Sequence, residues 1–195
     1  QWAQFLSEIR NTLDKSRPGM SLSLNGGPFT VSWESLRQVS WPYGEGGNHA
    51  YNCVALRGTG LESPQCGIPA GNDVYDLWPA TLVRIMTSTV LAHGCRTFFF
   101  FLQGRLGDGT FERSKYELMR QINKETVTIE NWVRDAVPLR AAAVYHSEAS
   151  LVRAGTQNKS GLGDSPKDGY AVMTGAVIDA FRSASIPCEL LPSFL

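Results

Sequence analysis

Thr97-Phe98-Phe99-Phe100-Phe101-Leu102 is the clearest strand in the sequence. It is apolar on both faces, the pattern of a central parallel strand covered by helices. Six residues fall far short of the ~18–20 needed to cross a bilayer, so the run reads as a buried strand. What surrounds it fits the same picture. Upstream, Trp78-Pro79 opens a helix, with proline where a missing N–H costs nothing. Leu82, Ile85, Met86, Thr89 and Val90 form that helix's apolar stripe, and His93-Gly94 closes it with glycine at a left-handed cap. Downstream, Gly104 to Gly109 is a loop, and Glu112 to about Trp132 reads as a long helix with Tyr116, Met119, Ile122 and Asn123 on one side.

The rest of the chain repeats the alternation. Trp2, Phe5, Leu6, Ile9 and Leu13 make one helical stripe, ended by Arg17-Pro18-Gly19. Met20 to Leu24 alternates with period two and predicts a strand. A helical turn at Trp33 to Arg37 leads to a brief strand, Gln38 to Trp41, and then a glycine-rich loop, Pro42 to Asn48. Ala50 to Arg57 is expected as a helix and Gln65 to Ile68 as a strand. Pro138 breaks the chain, Arg140 to Tyr145 is a second buried strand, and Gln157 to Asp168 is a long polar loop. Tyr170 to Ser185 is a helix offering Val172, Ala176, Ile178, Ala180 and Phe181 to the core, and Pro187 to Leu191 is the last strand. Strands alternating with helices imply an α/β fold with parallel strands, and the break near Val137-Pro138 divides it into residues 1–137 and 138–195.

Composition excludes several functions. Eighteen Lys and Arg against eighteen Asp and Glu leave no net charge. A nucleic-acid binder needs a basic excess to displace counterions, and an anionic membrane surface attracts polybasic segments. With 43% hydrophobic and 18% charged residues the chain is expected to bury a core rather than stay disordered. No basic-then-apolar leader opens it, and it begins at Gln1 within a helical pattern, which suggests a fragment of a longer protein. Cys53, Cys66, Cys95 and Cys188 form no CxxC pair and fit no zinc template, so they read as unpaired buried thiols, leaning towards a reducing, cytoplasmic setting. There is no HExxH, no close His/carboxylate cluster, no GxSxG, no GxGxxG and no Walker loop, so no metal or cofactor is implied.

In parallel α/β folds the loops after the strands' carboxyl ends carry function. Glu45 stands out there. It follows a strand, glycines leave room for a ligand, and Trp41 and Tyr43 could stack on a sugar or desolvate the carboxyl. Asn48, His49, Asp73, Arg105 and Asp108 lie on the same set of loops. His93, at a helix end, reads as structural.

Leu77-Trp78-Pro79 and Ala92-His93-Gly94-Cys95-Arg96-Thr97-Phe98-Phe99-Phe100 resemble the last part of the (β/α)₈ barrel in glycoside hydrolases of the β-galactosidase family 42 type. Arg140 to Glu148, the helix to Phe181 and Ile186 to Leu191 look like the start of that family's next domain, flavodoxin-like and used for trimerisation. The resemblance implies a partial (β/α)₈ barrel over 1–137, a flavodoxin-like unit over 138–195, a carbohydrate substrate and a possible homo-oligomer. It also implies a retaining mechanism with two carboxylates ~5 Å apart. The family's acid/base glutamate would lie before Gln1. Its nucleophile closes the penultimate barrel strand, yet the matching strand here runs into Pro69-Ala70-Gly71-Asn72 with no carboxylate. Glu45, one strand earlier, is then the expected carboxylate at the sugar, with Trp41, Asn48, His49, Asp73, Arg105 and Asp108 as substrate contacts. The alternative is a non-catalytic α/β carbohydrate-binding or oligomerisation module, with Arg140–Leu191 mediating self-association.

Overall fold

The structure is a computed structural model that describes residues 2–24, 33–45, 48–71, 76–100, 108, 110, 112–147, 149–150 and 169–192. In chain order the elements are α1 (Trp2–Ser16), α2 (Trp33–Leu36), β1 (Tyr43–Gly44), α3 (His49–Gly58), β2 (Gln65–Pro69), α4 (Ala80–Ala92) and β3 (Arg96–Phe100). Then follow α5 (Arg113–Val133), β4 (Ala142–His146), α6 (Gly169–Ser183) and β5 (Cys188–Pro192). All described strand pairs are parallel, as the alternation predicted. One sheet has the order β1-β2-β3, and β4 pairs with β5 in a second.

α3 is the keystone. Eight of its ten residues are buried, because it is enclosed on two sides. Cys53 and Leu56 face β2 and α4 in the core that also holds Cys66, Ile68, Val83, Val90 and Ile122. Val54 and Ala55 face the second sheet, packing with Ile178, Cys188 and Leu190. Contact with the second sheet is so close that a Cβ on Gly58 would lie 2.4 Å from the Leu190 carbonyl oxygen. Gly58→Ala should therefore push the β4–β5 sheet off α3 and cost about 2 kcal/mol. A drop in the urea midpoint checks it, and an unchanged midpoint would show the packing to be looser than drawn.

Four expectations from sequence are corrected. The phenylalanine strand is not central: among the described residues β3 pairs with β2 alone. Its faces differ too, since Phe99 packs on the helix-covered core while Phe98 is 47% exposed on the other face. The two strands expected at 20–24 and 38–41 are irregular. Leu22 N–H goes to the Ser40 hydroxyl at 2.9 Å, and the Leu22 carbonyl accepts from Ser40 N–H at 2.7 Å. Gln38 and Val39 are held in turns by the carbonyls of Ser35 and Leu36, and the regular strand starts only at Tyr43. The buried face of α5 is Lys115, Leu118 and Ile122, leaving Tyr116 51% exposed. On α6 the core takes Thr174 and Ile178, while Val172, Ala176 and Ala180 are exposed.

Candidate functional site

β1 and β3 flank β2, and Phe98 lies opposite Gly67 in the register. Because Gly67 has no side chain, the rings of Tyr43 and Phe98 meet across it, edge to face with centroids 5.7 Å apart. Tyr43 precedes Glu45 by two residues, so an extended chain sends both side chains to one side. The Tyr43 hydroxyl donates to Glu45 Oε2 at 2.7 Å. Burial, reinforced by the hydrogen bond and the negative charge of Glu45, holds the Tyr43 phenol well above its ordinary pKa. Tyr43 is thus a permanent donor to the carboxylate. The Glu45 main chain is fixed independently, its carbonyl accepting from Asn52 Nδ2 of α3 at 3.1 Å. An exposed carboxylate held by a phenol, beside a half-exposed aromatic ring, stands at the carboxyl ends of parallel strands.

His49, the first residue of α3, is buried and hydrogen-bonded to the backbone of Gly67, the residue paired with Phe98 in the strand register. Its Nε2 has no hydrogen-bond partner. Asn48 is occupied otherwise. Its carbonyl oxygen caps α3 by accepting from Tyr51 N–H at 3.0 Å, and its amide donates to Asp179 of α6 at 3.3 Å. Trp41 is half-buried, and its carbonyl accepts from the Ser23 hydroxyl. Asp108 is exposed and bends back on Thr110, whose N–H (2.9 Å) and hydroxyl (2.7 Å) hold its carboxyl below the usual range. Asp73 and Arg105 lie outside the described residues. Asp76, between β2 and α4, accepts from Trp78 Nε1 at 3.1 Å. Sequence reading undervalued Phe98 and Asn52. The two-residue spacing could have singled out Tyr43 as more than a stacking neighbour, whereas Phe98 was absorbed into an apolar run.

All three histidines have lowered pKa values, His49, His93 and His146 alike, with burial the leading cause. The unfolded chain, with histidine near 6.5, then binds more protons than the native state below that pH. Stability should rise with pH through this window and be lost as pH falls below about 6.5. Thermal unfolding is expected several degrees lower at pH 5.5 than at pH 7.5, and a flat melting profile would contradict the neutral buried rings.

Among the described residues no group of three or more His, Cys, Asp or Glu could hold a metal ion, and no described helix is long and apolar enough to cross a membrane. All four cysteines are free and buried. No protein-family model and no curated protein matches the chain. Solved structures do. α-L-Fucosidase isoenzyme 2 from Paenibacillus thiaminolyticus superposes with a TM-score of 0.68 at 21% identity, over 97% of this chain and 29% of that one. The β-galactosidase from Bacillus circulans sp. alkalophilus superposes with a TM-score of 0.74 at 14% identity, over 100% of this chain and 33% of that one. The chain thus spans about a third of either enzyme's length. At these identities the likeness is one of fold: the chain shares with the matching part of both structures an α/β fold with parallel strands.

Proposed function

We propose that the chain belongs to a glycoside hydrolase that acts on a carbohydrate at the carboxyl rim of β1–β3, with Glu45 as a carboxylate facing the sugar. The observation that carries this reading is the Tyr43–Glu45 hydrogen bond beside the exposed Phe98 ring. The ring offers an apolar face to sugar C–H groups, and the phenol keeps the carboxylate oriented. Both solved structures named above are glycosidases, which supports the substrate class.

In finer detail, residues 1–137 are the carboxyl half of a (β/α)₈ barrel of the β-galactosidase family 42 type, and 138–195 begin a flavodoxin-like unit. The chain is then a fragment whose acid/base glutamate comes from a strand before Gln1. Retention requires two carboxylates ~5 Å apart, so Glu45 would serve as one member of that pair. His49 is buried and supports the rim through its hydrogen bond to the Gly67 backbone, and Trp41, Asp73, Arg105 and Asp108 are the further residues proposed to contact the sugar. Asn48 serves the site by fixing the start of α3. The test is release of chromophore from aryl glycosides by the protein containing this chain and by its Glu45→Gln variant. Equal rates would remove Glu45 from the reaction.

A second reading is a non-catalytic carbohydrate-binding or self-association module. It is favoured by the apolar surface of the 138–195 unit, where Tyr145, Val172 and Met173 are each more than 60% exposed. Sugar binding without turnover, together with a dimer or trimer in sedimentation, would select it.

A further inference from the structure

We propose that the seam between the two sheets, at the amino ends of β3 and β5, is a binding site for a small carboxylate with an aliphatic body. The site lies at the opposite end of the strands from Glu45 and does not depend on the sugar reading. The seam holds a cavity of about 480 Å³, within the ~300–1,000 Å³ range of small-molecule pockets. Its walls are largely apolar, among them Val54, Leu91, Ile178 and Ile186, and Val137 and Leu139 extend that surface at its mouth with 83% and 78% exposure.

The polar atoms on the walls decide the ligand's class. Three helices end here, and a helix's carboxyl end would favour a cation. Eight of their last-turn carbonyls, however, are already taken. In α4 the carbonyls of Thr89, Val90 and Leu91 accept from His93, Cys95 and Gly94 N–H. In α6 those of Ala180, Phe181 and Arg182 accept from Ala184, Ile186 and Ser185, and in α5 those of Glu130 and Val133 accept from Arg134 and Ala136. The His93 carbonyl accepts from Arg57 Nη1 at 2.8 Å.

Arg57 is held through both terminal nitrogens and its Nε is sealed within the wall, so the guanidinium that a ligand can reach is that of Arg182, 56% exposed. The charged side chains on the walls are Arg57 and Arg182, and no Asp or Glu lines the cavity among the described residues. Around the seam Arg57 and Arg140 share Glu189, and Arg182 pairs with Asp179, so the carboxylates that pair the wall arginines lie outside the cavity lining. His93 senses this field: burial, then Arg57 and Arg182, push its pKa down against the pull of its Thr89 hydrogen bond. A carboxylate would meet the wall arginines, and an aliphatic body would cover the apolar walls.

Octanoate is the probe, titrated by calorimetry into the protein containing this chain at pH 7.5. We expect one saturable site with Kd on the order of 1 mM or tighter, and 1-octanol at least ~10-fold weaker because it lacks the charge. Ala136→Trp, an exposed wall position whose larger side chain fills the cavity, should abolish binding while leaving the urea unfolding midpoint unchanged. Arg182→Gln, at a half-exposed ion pair, should weaken binding ~5-fold. Absence of saturable binding, equal affinity for octanoate and octanol, or unaltered binding in Ala136→Trp would each overturn the proposal.

Discussion

Replacing Glu45 by glutamine is expected to lower aryl-glycoside turnover by ~10²–10⁴-fold with little change in stability. Glutamine keeps the size of the side chain and an oxygen that can accept from the Tyr43 hydroxyl, so the local geometry survives. The loss is confined to charge: an amide cannot attack an anomeric carbon or stabilise an oxocarbenium-like transition state. The main-chain anchor from Asn52 is untouched by the change, and Glu45 is exposed, so the variant should unfold within about 0.5 kcal/mol of the parent. A variant that folds normally and hydrolyses at the parent rate would refute the role. Tyr43→Phe separates orientation from charge, because it leaves the carboxylate and removes its donor. It should cost less than Glu45→Gln, on the order of 10-fold in kcat/KM.

The second large effect is structural. Arg57 is 11% exposed and joins three elements at once. Its Nη1 reaches the His93 carbonyl beyond α4, and its Nη2 reaches the Cys188 carbonyl at 3.4 Å and Glu189 Oε1 at 3.3 Å in β5. Arg57→Met preserves much of the stem's packing but leaves two carbonyls without this donor and Glu189, itself 12% exposed, without its buried partner. Removing one member of a buried pair costs ~3–5 kcal/mol. Arg140 still contacts Glu189 Oε2 at 3.0 Å, so the lower end, about 3 kcal/mol, is expected. Urea unfolding measures it. Adding Glu189→Gln to Arg57→Met should recover part of the loss, since the uncompensated charge is then gone. A loss under 1 kcal/mol, with no recovery in the double variant, would show that Arg57 does not hold the two sheets together.

Several elements were legible because their signals are local. α4 begins after Pro79 and ends at Gly94, whose φ of +72° is the left-handed cap that glycine favours. Strands β2 and β3 appeared within two residues of their expected starts, since short apolar runs bounded by turn residues have few other uses. Met20–Leu24 misled because period-two alternation describes an extended segment whether or not a strand lies beside it. Here its neighbour is the turn around Ser40, which supplies single hydrogen bonds rather than a ladder. Asn48 shows a polarity that suits a ligand contact and a helix cap alike, and only the fold shows that its side chain caps α3.

By itself the sequence determined the class of fold, parallel strands joined by helices, and the rim on which a carboxylate would stand. Periodicity and turn chemistry act over a few residues and are written there. Tertiary structure alone decided which strand lies at the margin, which side of α3 meets which sheet, and that Tyr43 reaches both Glu45 and, across Gly67, Phe98. It also decided that Arg57 would meet Glu189, a residue 132 positions away. Such contacts depend on where whole elements pack, and the burial that drives packing is non-directional, so no short stretch of residues encodes them.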